Sequence, residues 1–137
     1  MTILFDTNVL IDAAVATRSY HGAAVRLIAA AERGDIRGLY APISIATCWY
    51  VAYEKERVDP RGLFQLLADV MDAVPMGRSV LLQALQSPGT RDFEDAYLAA
   101  AGATAGASAV VTRNDADFSE TDLRPYHPMD LIRMLAA

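Results

Sequence analysis

The segment Thr2-Ile3-Leu4-Phe5-Asp6 places a carboxylate directly after a short apolar run. Such a run is typical of a buried β-strand, and a carboxylate at its end is costly to bury unless something binds it. A second run, Ser108-Ala109-Val110-Val111, ends in the same way, at polar Thr112. In parallel sheets, ligands lie beyond the carboxyl ends of the strands. We therefore expect Asp6 and Thr112 to mark a functional site at one edge of a sheet.

The rest of the chain alternates between predicted helices and strands. Ser19 is expected to begin the second helix and Gly34 to end it, and the turn Ser87-Pro88-Gly89 is expected to end the fifth. The alternation predicts an α/β fold with a parallel sheet covered on both faces. A length of 137 residues suits a single domain, 1–137. Further strands are predicted at 38–41 and 73–75, and helices at 8–12, 19–33, 44–57, 60–72, 79–85, 92–105 and 128–135.

Composition and charge limit the function. A hydrophobic fraction of 53% and a charged fraction of 21% are typical of a soluble globular protein. The lone cysteine, Cys48, and the lack of a basic leader favour the cytoplasm, and no apolar run is long enough for a membrane span. A net charge of −5 counts against tight nucleic-acid binding by the chain alone, although bound divalent ions would invert the local field.

Several aspartates stand where one site could collect them. Asp92 and Asp95 lie at the start of a predicted helix and, being three apart, share one of its faces, while Asp115 and Asp117 follow the strand that ends at Val111. Carboxylates are the ligands that Mg²⁺ and Mn²⁺ prefer. Acids at such positions are also common as helix caps and solvated turns. The metal-site interpretation therefore rests on Asp6.

Three motifs occur in order along the chain: Phe5-Asp6-Thr7-Asn8-Val9-Leu10, Asp92-Phe93-Glu94-Asp95-Ala96 and Val111-Thr112-Arg113-Asn114-Asp115-Ala116-Asp117-Phe118. They resemble the first, third and fourth motifs of PIN domains, and the resemblance covers essentially the whole chain. The first is an Asp that ends strand one, followed by Thr and Asn. The third lies at the start of a helix that faces the site, and the fourth is a strand followed by Thr-Arg-Asn and Asp-Phe. The ending His127-Pro128-Met129-Asp130 is similar to the family's last strand-to-helix step.

The resemblance implies a three-layer α/β/α sandwich with a central parallel sheet and a phosphodiesterase site that uses Mg²⁺ or Mn²⁺. The chain most resembles VapC-like toxin ribonucleases, which implies an RNA substrate, a cognate antitoxin protein and a homodimer. On this basis Asp6, Asp95 and Asp117 are predicted as catalytic metal ligands. Arg113 is predicted to bind a substrate phosphate. Supporting roles are predicted for Thr7, Asn8, Asp92, Thr112 and Asn114.

Two departures from the family pattern remove negative charge. In the family, the helix after strand two usually carries a Glu. The predicted helix 44–57 has no acid before Glu54. If this helix is a regular α-helix, Glu54 shares a face with Thr47, seven residues earlier. The aromatic-rich character of this helix is similar to one PIN subgroup. Asn114 stands where many members have Asp. An alternative is therefore a catalytically impaired PIN-like module that binds protein or RNA.

A haloacid-dehalogenase-type phosphatase also begins with an apolar strand and an Asp. That chemistry requires a second Asp two residues later, where this chain has Asn8, and a suitable lysine, whereas Lys55 is the only one in the sequence. Both features count against this class.

Three expectations concern residues outside the motifs. Trp49, Tyr50 and Tyr53 form an aromatic stripe, for which core packing is the first interpretation, a dimer interface the second and base stacking the third. Asp12 is expected at the surface or at a helix end. Glu94 is expected to be solvated, since it lies about 100° around the helix from its neighbours.

Overall fold

The computed structural model describes residues 1–87 and 92–137, so Pro88 and Gly89 of the predicted turn lie outside the described residues. Its centre is a five-stranded sheet in the order β3-β2-β1-β4-β5, with every neighbouring pair parallel. The strands are β1 (Thr2–Phe5), β2 (Arg37–Tyr40), β3 (Asp72–Ala73), β4 (Ala109–Val111) and β5 (Arg124–Tyr126).

Helices connect the strands, as parallel pairing requires. In chain order they are α1 (Thr7–Ala14), α2 (His21–Arg33), α3 (Pro42–Trp49), α4 (Arg61–Val70), α5 (Arg78–Leu85), α6 (Phe93–Thr104) and α7 (Pro128–Ala136), with a π-helix at Tyr50–Lys55 and a 3-10 helix at Asp115–Phe118. Among the described residues, none of these helices combines the length and the apolar character needed to cross a bilayer.

The side chains of β1 alternate between the two faces of the sheet and enter two separate cores. Ile3 and Phe5 are fully buried in one core, which also contains Leu27 of α2 and Leu131 of α7. Leu4 is fully buried in the other core, together with side chains of α5 and α6 that include Val80 and Leu98. The helices therefore cover both faces, and the expected three-layer α/β/α sandwich is confirmed.

Two glycines meet local requirements of this packing. Gly34 ends α2 with φ of 83°, a left-handed conformation that glycine adopts at little cost, as predicted for the end of this helix. Gly102 lies where α6 crosses the sheet, and a Cβ atom there would stand 3.1 Å from Leu4 Cδ2 and 3.0 Å from Leu123 Cδ1. This close approach sets the position of α6 relative to β1, and the first turn of α6 carries Asp95.

The structure corrects two details of the sequence prediction. The helix predicted from Ser19 begins at His21, and its N-cap, Tyr20, makes no side-chain capping hydrogen bond. The single helix predicted over 44–57 is an α-helix that widens into the π-helix Tyr50–Lys55. The α-helical spacing that related Glu54 to Thr47 is therefore lost.

Candidate active site

The carboxyl ends of β1 and β4 form the centre of the site. Phe5 pairs with Val111 at the end of the two strands, and the Asp6 N–H donates to the Val111 carbonyl at 3.0 Å. Asp6 and Thr112 are the next residues along each chain segment. From β1 the chain continues to β2 on one side, whereas β4 lies on the other, so this edge is the topological switch point of the sheet.

Asp6 is held rigidly by neutral hydrogen-bond donors. Its side chain is 6% exposed; Oδ1 accepts the Thr7 N–H at 2.8 Å, and Oδ2 accepts the Thr112 hydroxyl at 2.8 Å. The Thr112 oxygen in turn accepts the Asn114 N–H at 3.0 Å and the Asn8 amide at 3.5 Å. The structure thus places four of the residues with predicted supporting roles in one network around Asp6.

Ser44 belongs to this network and was missed in the sequence. It is fully buried in the first turn of α3, and its hydroxyl lies 2.6 Å from the Thr7 hydroxyl. The sequence signal for it is a serine two residues after the first-turn Pro42, close to the carboxyl end of β2. In this structure a hydroxyl, not an acid, reaches the site from α3.

The first turn of α6 adds further negative charge. Asp92 caps the helix by accepting the Glu94 N–H at 2.9 Å. Burial, together with the charges of Asp6, Asp117, Asp92 and Glu94, raises the pKa of Asp95 to about 7. Burial also raises the pKa of Glu94, to which the charges of Asp92 and Asp6 add. The expectation of a solvated Glu94 is therefore wrong, because it is half-buried beside the cluster.

Asp6 and Asp117 complete the group of mutually repelling acids. Burial raises the pKa of Asp6, the Thr112 and Thr7 hydrogen bonds oppose this, and the charge of Asp117 raises it further. Asp117 is half-buried on the 3-10 helix, which the buried Phe118 anchors in the core. We call the group of Asp6, Asp92, Glu94, Asp95 and Asp117 the acidic cluster. Asp115 and Asn114 on the same segment are exposed.

A second ionic group, formed by Asp12 and Arg113, lies beside the acidic cluster. Asp12 lies in the last turn of α1, as one of the two expectations had it, but it is 2% exposed, so the expected surface position is wrong. Its Oδ2 accepts Arg113 Nε at 2.6 Å and its Oδ1 accepts Arg113 Nη2 at 3.4 Å. The Arg113 N–H donates to Asn8 Oδ1 at 3.3 Å, which joins the two groups through the backbone. The guanidinium predicted to bind substrate therefore lies against Asp12.

Comparison with known proteins identifies the family. A profile of the PIN domain matches residues 2–116. This chain belongs to the PIN-domain family. PIN domains are in general nucleases and typically depend on a divalent metal. No curated protein sequence matches this chain.

Two solved structures share the fold of this PIN domain. FitAcB from Neisseria gonorrhoeae is similar with a TM-score of 0.61 and 16% sequence identity, over 93% of this chain and 98% of the other. FitAB bound to an IR36 DNA fragment is similar with a TM-score of 0.58 and 18% identity, over 92% of this chain and 94% of the other. At these identities the likeness supports the fold alone.

The donor chemistry of the acidic cluster fits a Mg²⁺ or Mn²⁺ ion. All its members offer carboxylate oxygens, and the pKa values of Asp6 and Asp95 are raised first by burial and then by neighbouring carboxylates, both of which a bound cation would offset. Within residues 1–87 and 92–137, no three His, Cys, Asp or Glu side chains are gathered tightly enough to enclose an ion by themselves. Mg²⁺ usually keeps several waters and binds one or two carboxylates, so the fit is to a hydrated ion.

The helix after β2 gives two further results. Glu54 is exposed on the π-helix, and its charge is not among those that shift the pKa of Asp6 or Asp95. The core interpretation of the aromatic stripe is wrong, because Tyr50 is 53% and Tyr53 42% exposed. The Trp49 ring stacks on the Tyr53 ring at 4.5 Å between centroids. The dimer interface and base stacking stay predictions for this exposed pair of rings.

Proposed function

We propose that this PIN domain is a metal-dependent endoribonuclease, the toxin of a type II toxin–antitoxin pair. The observation that carries the proposal is the acidic cluster at the topological switch point of the sheet. Asp6, Asp95 and Asp117 come from three separate chain segments, and burial, to which the charges of Asp6 and Asp117 add, raises the pKa of Asp95 to about 7. A cation that binds among these carboxylates would offset their repulsion and raise the free energy of unfolding.

Asp6, Asp95 and Asp117 would hold the Mg²⁺ or Mn²⁺ ion, with Asp92 assisting. Such an ion supplies a water of lowered pKa and neutralises the charge that develops on the phosphate. Thr112 and the Thr7 N–H fix the Asp6 carboxylate from both of its oxygens, so that this ligand is preorganised. Asn8 and Asn114 brace Thr112, and Arg113 is the candidate for contact with a substrate phosphate.

The partners follow from the family resemblance and from charge. An RNA substrate, a homodimer and a cytoplasmic location are what small PIN-domain toxins imply. A cognate antitoxin with a basic segment would complement a chain of net charge −5. The similar FitAB assembly is bound to a DNA fragment, and a DNA-binding antitoxin would give this toxin the same kind of assembly.

The second candidate is a PIN-like module that binds RNA or protein without cutting. Two observations favour it: Ser44 of α3 supplies a hydroxyl where the family usually has a Glu, and Asn114 is an exposed amide. A competent site should bind Mn²⁺ far more tightly than its Asp6→Asn variant does. A metal titration of both proteins therefore separates the two candidates.

The deciding experiment is cleavage of a mixed cellular RNA pool in Mn²⁺ by the wild type, Asp6→Asn and Asp95→Asn. Loss of a metal ligand should slow cleavage by at least about 100-fold, since even the partners of ligands matter by 10–100-fold. Asp130→Asn is the matched control, because Asp130 is exposed and pairs only at the surface with Arg133. Failure of the folded, metal-loaded wild type to cut any RNA would contradict the nuclease proposal.

A further inference from the structure

A cleft of about 310 Å³ opens beside the acidic cluster, on the side of Arg113. It lies between the loop that joins α1 to α2 and the residue that follows Thr112. Its lining combines two guanidinium groups, one engaged carboxylate and three residues with hydroxyl groups: Arg18, Arg113, Asp12, Thr17, Ser19 and Tyr20.

The two guanidinium groups converge on a single carboxylate. Arg18 Nη1 lies 3.5 Å and Arg113 Nη2 3.4 Å from the same Oδ1 of Asp12. The Arg18 side chain is 31% and the Arg113 side chain 28% exposed, whereas that of Asp12 is 3% exposed. Solvent in the cleft therefore meets the cations more than the anion between them. Glu56, the other acid near Arg18, is 3.9 Å from its Nη2.

Arg18 has hydrogen-bonding capacity that the described part of the chain does not use. Its Nε is buried and has no hydrogen-bond partner there. An unsatisfied buried donor is unfavourable. A rotation of the Arg18 side chain, which is 31% exposed, would let a ligand with paired oxygens accept from Nε and one Nη nitrogen together. A tetrahedral phosphate has this geometry, which guanidinium groups match better than ammonium groups do.

The surroundings of Arg113 favour nucleic acid as the source of the phosphate. The Arg113 guanidinium lies 5.9 Å from the centre of the Tyr20 ring, and the His127 ring packs edge-on against that ring at 5.0 Å. Aromatic and arginine side chains together are typical of surfaces that hold single-stranded RNA. Through Asn8 and Thr112, three hydrogen bonds connect Arg113 in the cleft with Asp6.

We propose that this cleft binds a phosphate of the RNA strand next to the one that is cleaved, through Arg18 and Arg113. Asp12 positions the two guanidinium groups and does not contact the RNA. The inference rests on the proposed ribonuclease function and adds the residues that hold the strand. It also gives a chain of net charge −5 a local pair of guanidinium groups with which to bind a polyanion.

The test measures binding without cleavage. A fluorescently labelled single-stranded oligoribonucleotide is titrated in EDTA over a series of salt concentrations, with the wild type, Arg18→Gln and Arg18→Lys. The matched control is Arg33→Gln, which removes the same charge from an exposed pair with Asp35. Circular dichroism establishes that each variant is folded. Arg18 is chosen over Arg113 because Asp12 keeps its shorter ion pair when Arg18 is replaced.

Arg18→Gln should weaken RNA binding about tenfold, the effect of one charged hydrogen bond, and reduce the salt slope of log Kd by about 0.7. Arg18→Lys should keep the wild-type slope with intermediate affinity, and Arg33→Gln should match the wild type. Equal binding by Arg18→Gln and Arg33→Gln would overturn the inference, and persistent cleavage of the RNA pool would then leave the proposed function standing.

A parallel arm titrates inorganic phosphate and follows the melting temperature. Stabilisation of the wild type but not of Arg18→Gln, in a protein that also binds the oligoribonucleotide through Arg18, supports the inference. Stabilisation by free phosphate in a protein that neither binds nor cuts RNA would contradict both the RNA subsite and the ribonuclease, and would assign the cleft to a small anion.

Discussion

Asp6 is the N-cap of the short helix α1, and Asp12 lies within the same helix. Both carboxylates are buried, but they have different partners. Asp6 accepts hydrogen bonds from a backbone N–H and a hydroxyl, and of the nearby charges that of Asp117 raises its pKa while that of Arg113 lowers it. Asp12 accepts hydrogen bonds from Arg113 at 2.6 and 3.4 Å and forms an ion pair with Arg18 at 3.5 Å. A buried carboxylate with cations is a structural ion pair, whereas one crowded by other carboxylates is a site whose cation comes from outside.

The largest expected effect is on stability and tests the ion pairs of Asp12. Asp12→Asn leaves the partly buried guanidinium groups of Arg18 and Arg113 without their anion, and we expect the free energy of unfolding to fall by about 3 kcal/mol. Asp6→Asn keeps an oxygen for the Thr7 N–H and removes repulsion, so its metal-free stability should change by less than about 1 kcal/mol. Urea unfolding in EDTA measures both.

The surface variant Asp130→Asn, which loses only an exposed pair with Arg133, is the reference for these measurements. Equal losses in Asp12→Asn and Asp6→Asn would contradict the distinction between the two carboxylates.

The next effect tests the acidic cluster. Mn²⁺ should stabilise the wild type by about 1.4 kcal/mol when its concentration is tenfold above Kd, because it binds the folded state preferentially. Asp95→Asn should lose most of this gain, since it removes one of the proposed ligands. Melting temperatures with and without MnCl₂, at matched ionic strength, measure the difference. An unchanged melting temperature in millimolar Mn²⁺ would contradict the metal site, and so would equal gains in the two proteins.

The fold was predictable from local patterns to a large extent. The apolar run before Asp6 and the one before Thr112 predict buried strands, and both are central strands of the parallel sheet. The acids in the first turn of α6 predict a helix start, and Asp92 is its N-cap. The short strand β5 was indicated only by the resemblance of the ending at His127 to the last strand-to-helix step of PIN domains. The π-helix was not predicted, because local widening of a helix leaves little trace in apolar periodicity.

The parts of the site that the sequence concealed depend on contacts between distant residues. Asp12 looks like an ordinary helical acid until Arg113, 101 residues later, is placed against it. The pairing of Ser44 with Thr7 spans 37 residues in the same way. The aromatic stripe illustrates a different limit, because apolar side chains predict burial only on average and Tyr50 is among the exposed exceptions.

The smallest effect is a pH dependence of metal-free stability that arises from the acidic cluster. The pKa of Asp95 is about 7 in the folded protein, against an ordinary value of 3.8 that applies once the chain unfolds. Between these pH values the folded chain binds more protons, so this contribution is fully present below about pH 4 and is lost as pH rises through 7. Asp95 is only half-buried, so solvent screening reduces the effect.

Urea unfolding of the wild type and Asp95→Asn in EDTA, from pH 4 to pH 8, measures this contribution. The wild type should lose stability with rising pH more steeply than the variant. Some slope should remain in Asp95→Asn, because the raised pKa values of Asp6 and Glu94 act in the same direction. Saturating Mn²⁺ at neutral pH should restore what the wild type loses, since the cation replaces the proton as the partner of the carboxylates. Parallel pH profiles for the two proteins would mean that Asp95 does not share the charge of the cluster.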